Sequence, residues 1–374
     1  MSCIYIHIPF CKSRCIYCDF FSTTQLELRN QYVDAVCKEI ALTDKYLEGD
    51  TIHSVYFGGG TPSQLSVAQI RRILDTISQH HPIATDCETT IELNPDDVTP
   101  TYADELRNLP INRISLGIQT FNDTTLRFIH RRHTAQKAID TVQLLQAIGY
   151  DNISIDLIFG FPGETLDEWR HDIDQALQLD LQHLSAYSLM YEEGTKLYEL
   201  LANHHIQEID EERSRDMYRM LMDKMDEAGF EHYEISNFAK PGRYSRHNSS
   251  YWNSTHYLGL GAGAHSFNGT SRQNNICNLK EYINGIQLGL PKVEIETLTK
   301  DQQYNEMVMT RLRTKKGLKI EAVNDMFGTK YYHHLIEAAT PYYILGLLKN
   351  TDGTLTLTPK GIYISNDIIA SLFI

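Results

Sequence analysis

Positive charge is scarce in this chain of 374 residues: 34 Lys and Arg stand against 48 Asp and Glu, a formal net charge of −14. The basic stretches, "HRRH" (130–133) and "TKK" (314–316), are short. No nucleic-acid partner is therefore expected, because binding a phosphate backbone relies on concentrated positive charge. Long hydrophobic runs are missing as well. No apolar stretch approaches the ~20 residues of a membrane helix, which leaves at most peripheral membrane contact. The first residues enter a strand-like run with no basic region, apolar core or cleavage site, so a cytoplasmic location is expected. An even, regularly spaced cysteine set is also absent. Seven cysteines in a large chain argue against a disulfide framework and for reduced thiols open to a metal. Internal repeats and low-complexity segments are lacking too.

What is present is alternation. Strand-like runs at 4–8, 54–57, 89–94, 113–119, 152–160, 184–190 and 232–236 are separated by segments with helical periodicity. One such segment, 66–78, carries Val67, Ile70, Ile73, Leu74 and Ile77 on one face. Strands alternating with helices imply βα units around a parallel sheet. The fold class is thus α/β, a partial (β/α)6 barrel whose functional residues sit at the carboxyl ends of the strands. A barrel domain is expected over 1–235. A weakly periodic, aromatic-rich bridging region containing "HNSSYW" (247–252) is expected over 236–296, much of it as a long functional loop. A small helical, winged-helix-like C-terminal domain is expected over 297–374, with three helical segments followed by strand-like alternation in "LTLTPKGIYISN".

The first strand runs into Cys11, Cys15 and Cys18, spaced C-x3-C-x2-C with no fourth cysteine nearby. Structural zinc is closed by four ligands, and common iron–sulfur clusters take four thiolates. Three thiols leave one metal position open, where a reactant can bind. Zinc completed by a remote ligand such as His7, and plain buried or redox-active thiols, are the alternatives. "GGGTP" (58–62) ends the second strand, and its bare backbone can approach a ligand and offer N–H groups. An ordinary glycine turn is the bland alternative; no Gly-Lys-Ser/Thr follows, so it is not a phosphate loop of that kind. "GLGAGA" (259–264) fits a dinucleotide fingerprint, but no βαβ context surrounds it and NAD binding is rejected.

The cysteine spacing after a strand, followed by "FGGGTPS", resembles the radical S-adenosylmethionine (SAM) superfamily. The resemblance implies a 4Fe–4S cluster on Cys11, Cys15 and Cys18, with the amino and carboxylate groups of SAM chelating the fourth iron. It further implies that Gly59, Gly60 and Thr61 contact the methionine end of SAM and that Glu92 accepts from its ammonium. Gln119 and Asp156 suit the ribose hydroxyls, and Arg131 the SAM carboxylate. Tyr5 and Tyr17 would flank the adenine and the cluster.

"YIHIPFCKSRCIYCDF", "LGIQTFND" and "DLIFGFPGET" further resemble the oxygen-independent coproporphyrinogen III oxidase group, through nearly the whole chain. Its porphyrinogen dehydrogenases carry a further cysteine two residues after the third. Here that position is Phe20, which argues against oxidative decarboxylation of coproporphyrinogen III to protoporphyrinogen IX, the alternative function. Together with "HNSSYW", the Phe20 form resembles the haem-chaperone branch of the group, whose members bind haem and pass it to respiratory haemoproteins. That resemblance implies an electron donor such as flavodoxin or ferredoxin. It also makes His247 the first candidate haem ligand, since a neutral imidazole suits haem iron, and His265 the second.

Overall fold

The computed structural model describes residues 2–374. Six strands pair in chain order and parallel throughout: β1 (Ser2–Ile8), β2 (Ile52–Gly59), β3 (Ile83–Leu93), β4 (Arg113–Gln119), β5 (Ile153–Phe159) and β6 (His183–Ser188). β1, β2 and β5 are buried along almost their whole length, as parallel strands covered on both faces must be. Helices start where the sequence provides caps. Val67–His80 opens on a Ser66/Gln69 capping box and buries the five apolar residues read from its periodicity. Leu166–Gln178 opens on the equivalent Thr165/Glu168 pair and buries Trp169 and Ile173. Because all six strands run the same way, all six carboxyl ends open on one side.

The parallel run ends at β6. The next expected strand, β7 (Glu231–Glu234), is antiparallel to β8 (Asn237–Ala239), which is itself antiparallel to β6. Residues 236–296 are not a long loop. They supply β8, helix Arg246–Trp252, β9 (His256–Leu260), β10 (His265–Phe267), β11 (Ser271–Asn275), helix Leu279–Leu288 and β12 (Val293–Thr297). β9 lies parallel beside β1, and the complete order is β12-β11-β10-β9-β1-β2-β3-β4-β5-β6-β8-β7. The two edges do not pair, so the barrel is partial.

"GLGAGA" is the end of β9 and the turn after it. Gly261 has φ +99°, and a Cβ there would stand 2.7 Å from the His7 carbonyl oxygen and collide with the Tyr32 hydroxyl. Its glycines thus serve close backbone approach. The Gly261 N–H donates to Glu39 Oε2 at 2.7 Å, and Asn275 Nδ2 and the Tyr282 hydroxyl donate to the same carboxylate at 2.6 and 2.5 Å. One buried carboxylate therefore joins helix Arg29–Leu42 to the strand layer beyond β1.

After β12 comes a separate apolar cluster around Tyr304, Val308, Leu335, Leu355 and Ile368. Helices Lys300–Leu312, Ile320–Phe327 and Thr329–Ile344 pack with a three-stranded sheet of β13 (Leu318–Lys319), β14 (Leu348–Thr351) and β15 (Thr354–Leu357). The sequence "PKGIYISN" continues as short helices, Pro359–Ile362 and Ser365–Ser371, and not as the expected strand; Thr358 caps the first of them. This unit is pinned to the barrel by Ile235 N–H to the Arg313 carbonyl (3.1 Å) and by Arg311 Nη1 to Asn253 Oδ1 (2.7 Å). Among the described residues no helix is long and apolar enough to cross a membrane.

Burial pushes the Glu39 carboxyl up to about 7, against the lowering effect of its three donors. The folded chain then binds a proton there that the unfolded chain has released, so this contribution is complete below about pH 4.5 and is lost as pH rises to 7. Glu39→Gln should flatten the decline in thermal stability between pH 5 and 7 by an amount on the order of 3 kcal/mol, read as Tm against pH for both proteins.

Candidate functional site

The loop after β1 is tied down before any cofactor is considered. Cys11 N–H donates to the Thr23 carbonyl (2.9 Å), Thr23 N–H to the Pro9 carbonyl (2.6 Å), and Leu197 N–H to the Ile16 carbonyl (2.8 Å). Ile16 is buried against Leu126, Ile129, Ile158, Phe161 and Leu197. Beneath it, His7 Nε2–H donates to the Phe21 carbonyl (2.8 Å), which leaves Nδ1 to accept from the Tyr5 hydroxyl (3.2 Å). With both ring nitrogens engaged, His7 is no zinc ligand; it holds the loop.

Cys11, Cys15 and Cys18 line one cavity of about 450 Å³ at the carboxyl ends of the strands. Gly59 at the end of β2 and Gly60 and Thr61 just after it line it too, as do Tyr17, Glu92, Gln119, Arg131 and Asp156. Eleven of the fourteen site residues expected from the sequence thus meet in one place. Tyr5, His247 and His265 do not.

Each wall has a local cause. A Cβ at Gly60 would lie 3.1 Å from Cys11 Sγ and 2.9 Å from the Pro9 carbonyl carbon, so only glycine lets β2 pass this close to the thiol loop. Thr61 Oγ1 is 3.3 Å from Cys11 Sγ. The β4–β5 register shifts between Gly117 and Gln119, and Gln119 takes φ +75°. Such an irregularity re-aims a side chain, here into the cavity. Arg131 Nη2 donates to the Gly117 carbonyl and to Asn94 Oδ1 (3.1 Å), with Nη1 3.7 Å from Cys15 Sγ. Arg132, its neighbour in "HRRH", pairs instead with Asp97 (3.1 Å) and Asp96 (3.9 Å). Asn94 and Gly117 were missed in the sequence. An isolated glycine in the strand pattern "SLGIQ" was the available signal for Gly117.

Two carboxyls face the cavity from β3 and β5, the strands on either side of β4. Burial pushes Glu92 up to about 7, although the Tyr56 hydroxyl donates to its Oε1 at 2.8 Å. Burial also raises Asp156, against donors on Ser185 and Ser115 and the buried Arg113 guanidinium. Both carboxylates are short of positive partners, which a cationic ligand would provide.

His247 is placed elsewhere. Its helix, Arg246–Trp252, plugs the barrel toward the amino ends of the strands, where the N–H groups of Arg246 and His247 donate to Glu88 (3.1 and 3.0 Å). The imidazole is buried, with Nδ1 2.8 Å from Ser54 Oγ and Nε2 2.9 Å from the Tyr251 hydroxyl. Its ring stacks on Tyr56 at 4.9 Å. Burial pushes its pKa down to about 3, so it is neutral. No nitrogen is left for iron, and the expectation of a haem ligand there is corrected to a floor-packing role. Tyr5 lies in the same floor, stacked on Tyr56 at 6.2 Å. His265 is exposed on β10, outside the cavity.

Among the described residues no three His, Cys, Asp or Glu side chains gather as a metal-ion site. Three thiols of one short loop that line one cavity offer a cluster one ligand for each of three irons. Burial pushes Cys18 up to about 11, and raises Cys11, so deprotonation at neutral pH needs the positive charge that iron brings. The donor set fits a cubane bound at three corners.

Comparison with known proteins agrees with this geometry. The Radical SAM superfamily model matches residues 5–176, and the HemN C-terminal domain model matches 298–364. The chain belongs to the radical SAM superfamily, in its coproporphyrinogen III oxidase-like group, and that family implies a 4Fe–4S cluster and SAM. Within it, the heme chaperone HemW of Bacillus subtilis is 34% identical, with 99% of both chains covered. HemW of Mycobacterium tuberculosis is 31% identical over 99% of this chain and 94% of its own. Coproporphyrinogen III oxidase (HemN) of Escherichia coli has the same fold, with a TM-score of 0.86 at 22% identity, covering all of this chain and 90% of that one.

Anaerobic reconstitution should load about four irons per chain. Cys15→Ala should reduce iron content to background while His265→Ala leaves it intact, as read by iron and acid-labile sulfide analysis.

Proposed function

We propose that the chain binds haem and hands it to respiratory haemoproteins, with a cluster on Cys11, Cys15 and Cys18 and SAM in the cavity beside it. Full-length similarity to proteins named heme chaperone HemW supports this reading. The observation that carries it lies in the site: Phe20, where the dehydrogenases have a further cysteine, lines the cavity with 60% of its surface exposed. A ring there offers contact area to a flat apolar ligand and no thiol to a reaction.

In this reading the bound cluster and SAM supply one-electron chemistry, fed by a donor of the flavodoxin or ferredoxin kind. The chain's own residues do the holding. Gly59, Gly60 and Thr61 admit the amino-acid end of SAM against the thiol loop. Glu92 accepts from an N–H of its amino group, and Arg131 pairs with its carboxylate, a geometry to which a planar guanidinium is suited. Gln119 and Asp156 accept from the ribose hydroxyls, and Tyr17 covers the adenine side.

The Glu92 assignment has a pH signature. Below about 7 the carboxyl is protonated and must lose its proton to accept fully from the SAM amino group. SAM affinity should therefore rise from pH 6 to 7.5 and then level, and Glu92→Gln should bind weakly with no such rise, read by equilibrium binding under anaerobic conditions.

Function itself is tested with the cluster-loaded protein and two substrates side by side. Haem should bind with a shifted Soret band. Coproporphyrinogen with SAM and reductant should release no CO₂; steady formation of protoporphyrinogen would assign the chain to the oxidases instead.

A further inference from the structure

With His247 sealed in the barrel floor, a haem ligand has to come from elsewhere. The cavity mouth carries features that its deeper wall does not explain. Phe20, Tyr187 and Met190 line the cavity and are 60%, 40% and 64% exposed, three of the large apolar side chains the fold leaves uncovered. They come from two separate elements, the thiol loop and the end of β6. Exposed apolar side chains gathered on one cavity of an acidic protein mark a binding surface.

A histidine, His130, shares that lining. It lines the same cavity, is exposed, and sits at φ +62°, a backbone conformation rare for a residue with a side chain. Its backbone N–H donates to the Arg127 carbonyl (3.2 Å), while its exposed ring makes no hydrogen bond among the described residues. This is the reverse of His7, His183 and His247, in which both nitrogens are engaged. Arg14, also lining the mouth and exposed, forms no ion pair among the described residues, whereas Lys12 and Arg132 are taken by Asp97.

Resting on the haem-binding reading above, we propose that haem seats across the cavity mouth, with His130 as an axial ligand to its iron. Phe20, Tyr187 and Met190 cover the macrocycle, and Arg14 pairs with a propionate. The chemistry is matched group by group. A free imidazole suits ferric iron, aromatic and thioether groups suit a flat apolar ring, and a guanidinium suits a carboxylate. Met190 adds a sulfur of the kind that binds haem iron opposite histidine.

The test titrates haem into the cluster-loaded full chain and follows the Soret band and affinity. His130→Ala should weaken binding at least tenfold and lose the ligand-specific Soret position, and free imidazole should restore that position. Arg14→Ala and Met190→Ala should each weaken binding severalfold. His205→Ala, an exposed histidine outside the cavity, should change nothing; an equal loss there would show that surface histidines collect haem adventitiously and would overturn the site. Unaltered spectra and affinity in His130→Ala, with the unsubstituted chain binding haem, would remove the site and leave the haem reading standing. No haem binding by the unsubstituted chain would remove both.

Discussion

Three thiols can serve separate irons of one cluster only if the loop that carries them is held in place by the protein alone. Here the restraint is mostly backbone. Thr23 closes the loop's base by bonding both Pro9 and Cys11, Ile16 is clamped by Leu197, and His7 reaches up from β1 to the Phe21 carbonyl. Gly60 then lets β2 lie against Cys11 closer than any side chain would permit. The rest of the site is arranged around that fixed loop, because Glu92, Gln119 and Asp156 are delivered by successive parallel strands and Arg131 by the connection after β4.

Polarity inside the barrel follows from the same arrangement. Parallel strands covered by helices are normally apolar on both faces, yet here one face carries Glu92, Asp156, Arg113 and Ser115. Desolvation raises both carboxyls, and the nearby hydroxyls and guanidinium offset only part of it. A buried polar network that is incomplete without its ligand is unfavourable for the empty protein and selective for a ligand with the missing charges. A sulfonium compound with an ammonium and a carboxylate has such groups. Arg131, already tied to Gly117 and Asn94, keeps its fork in position and does not have to be ordered when the ligand arrives.

Much of this could be read from the chain. β4 runs from Arg113 to Gln119 as its pattern indicates, and the cysteine spacing, "GGGTP", Glu92 and Asp156 all point to one place. The reason is physical: a parallel barrel turns strand-end position into site position, and strand ends are marked by glycine and polar residues. The errors also have causes. Residues 236–296 read as loop because their strands are only three to five residues long, too short for the alternation that signals a strand. "GIYISN" alternates like a strand, but the Thr358 cap and Pro359 start a helix. His247 and Tyr5 carry aromatic and imidazole groups of the right type, yet sit toward the wrong end of the barrel. That depends on the pairing of Ser54 with His247 across 193 residues, which no local pattern contains.

The central claim is a cluster with one iron open to a small sulfonium ligand. The most direct measurement is the electron paramagnetic resonance spectrum of the reduced, cluster-loaded chain with and without SAM. The account predicts a 4Fe–4S signal whose g-values shift when SAM is added. A signal indifferent to SAM, with the cluster intact, would contradict it.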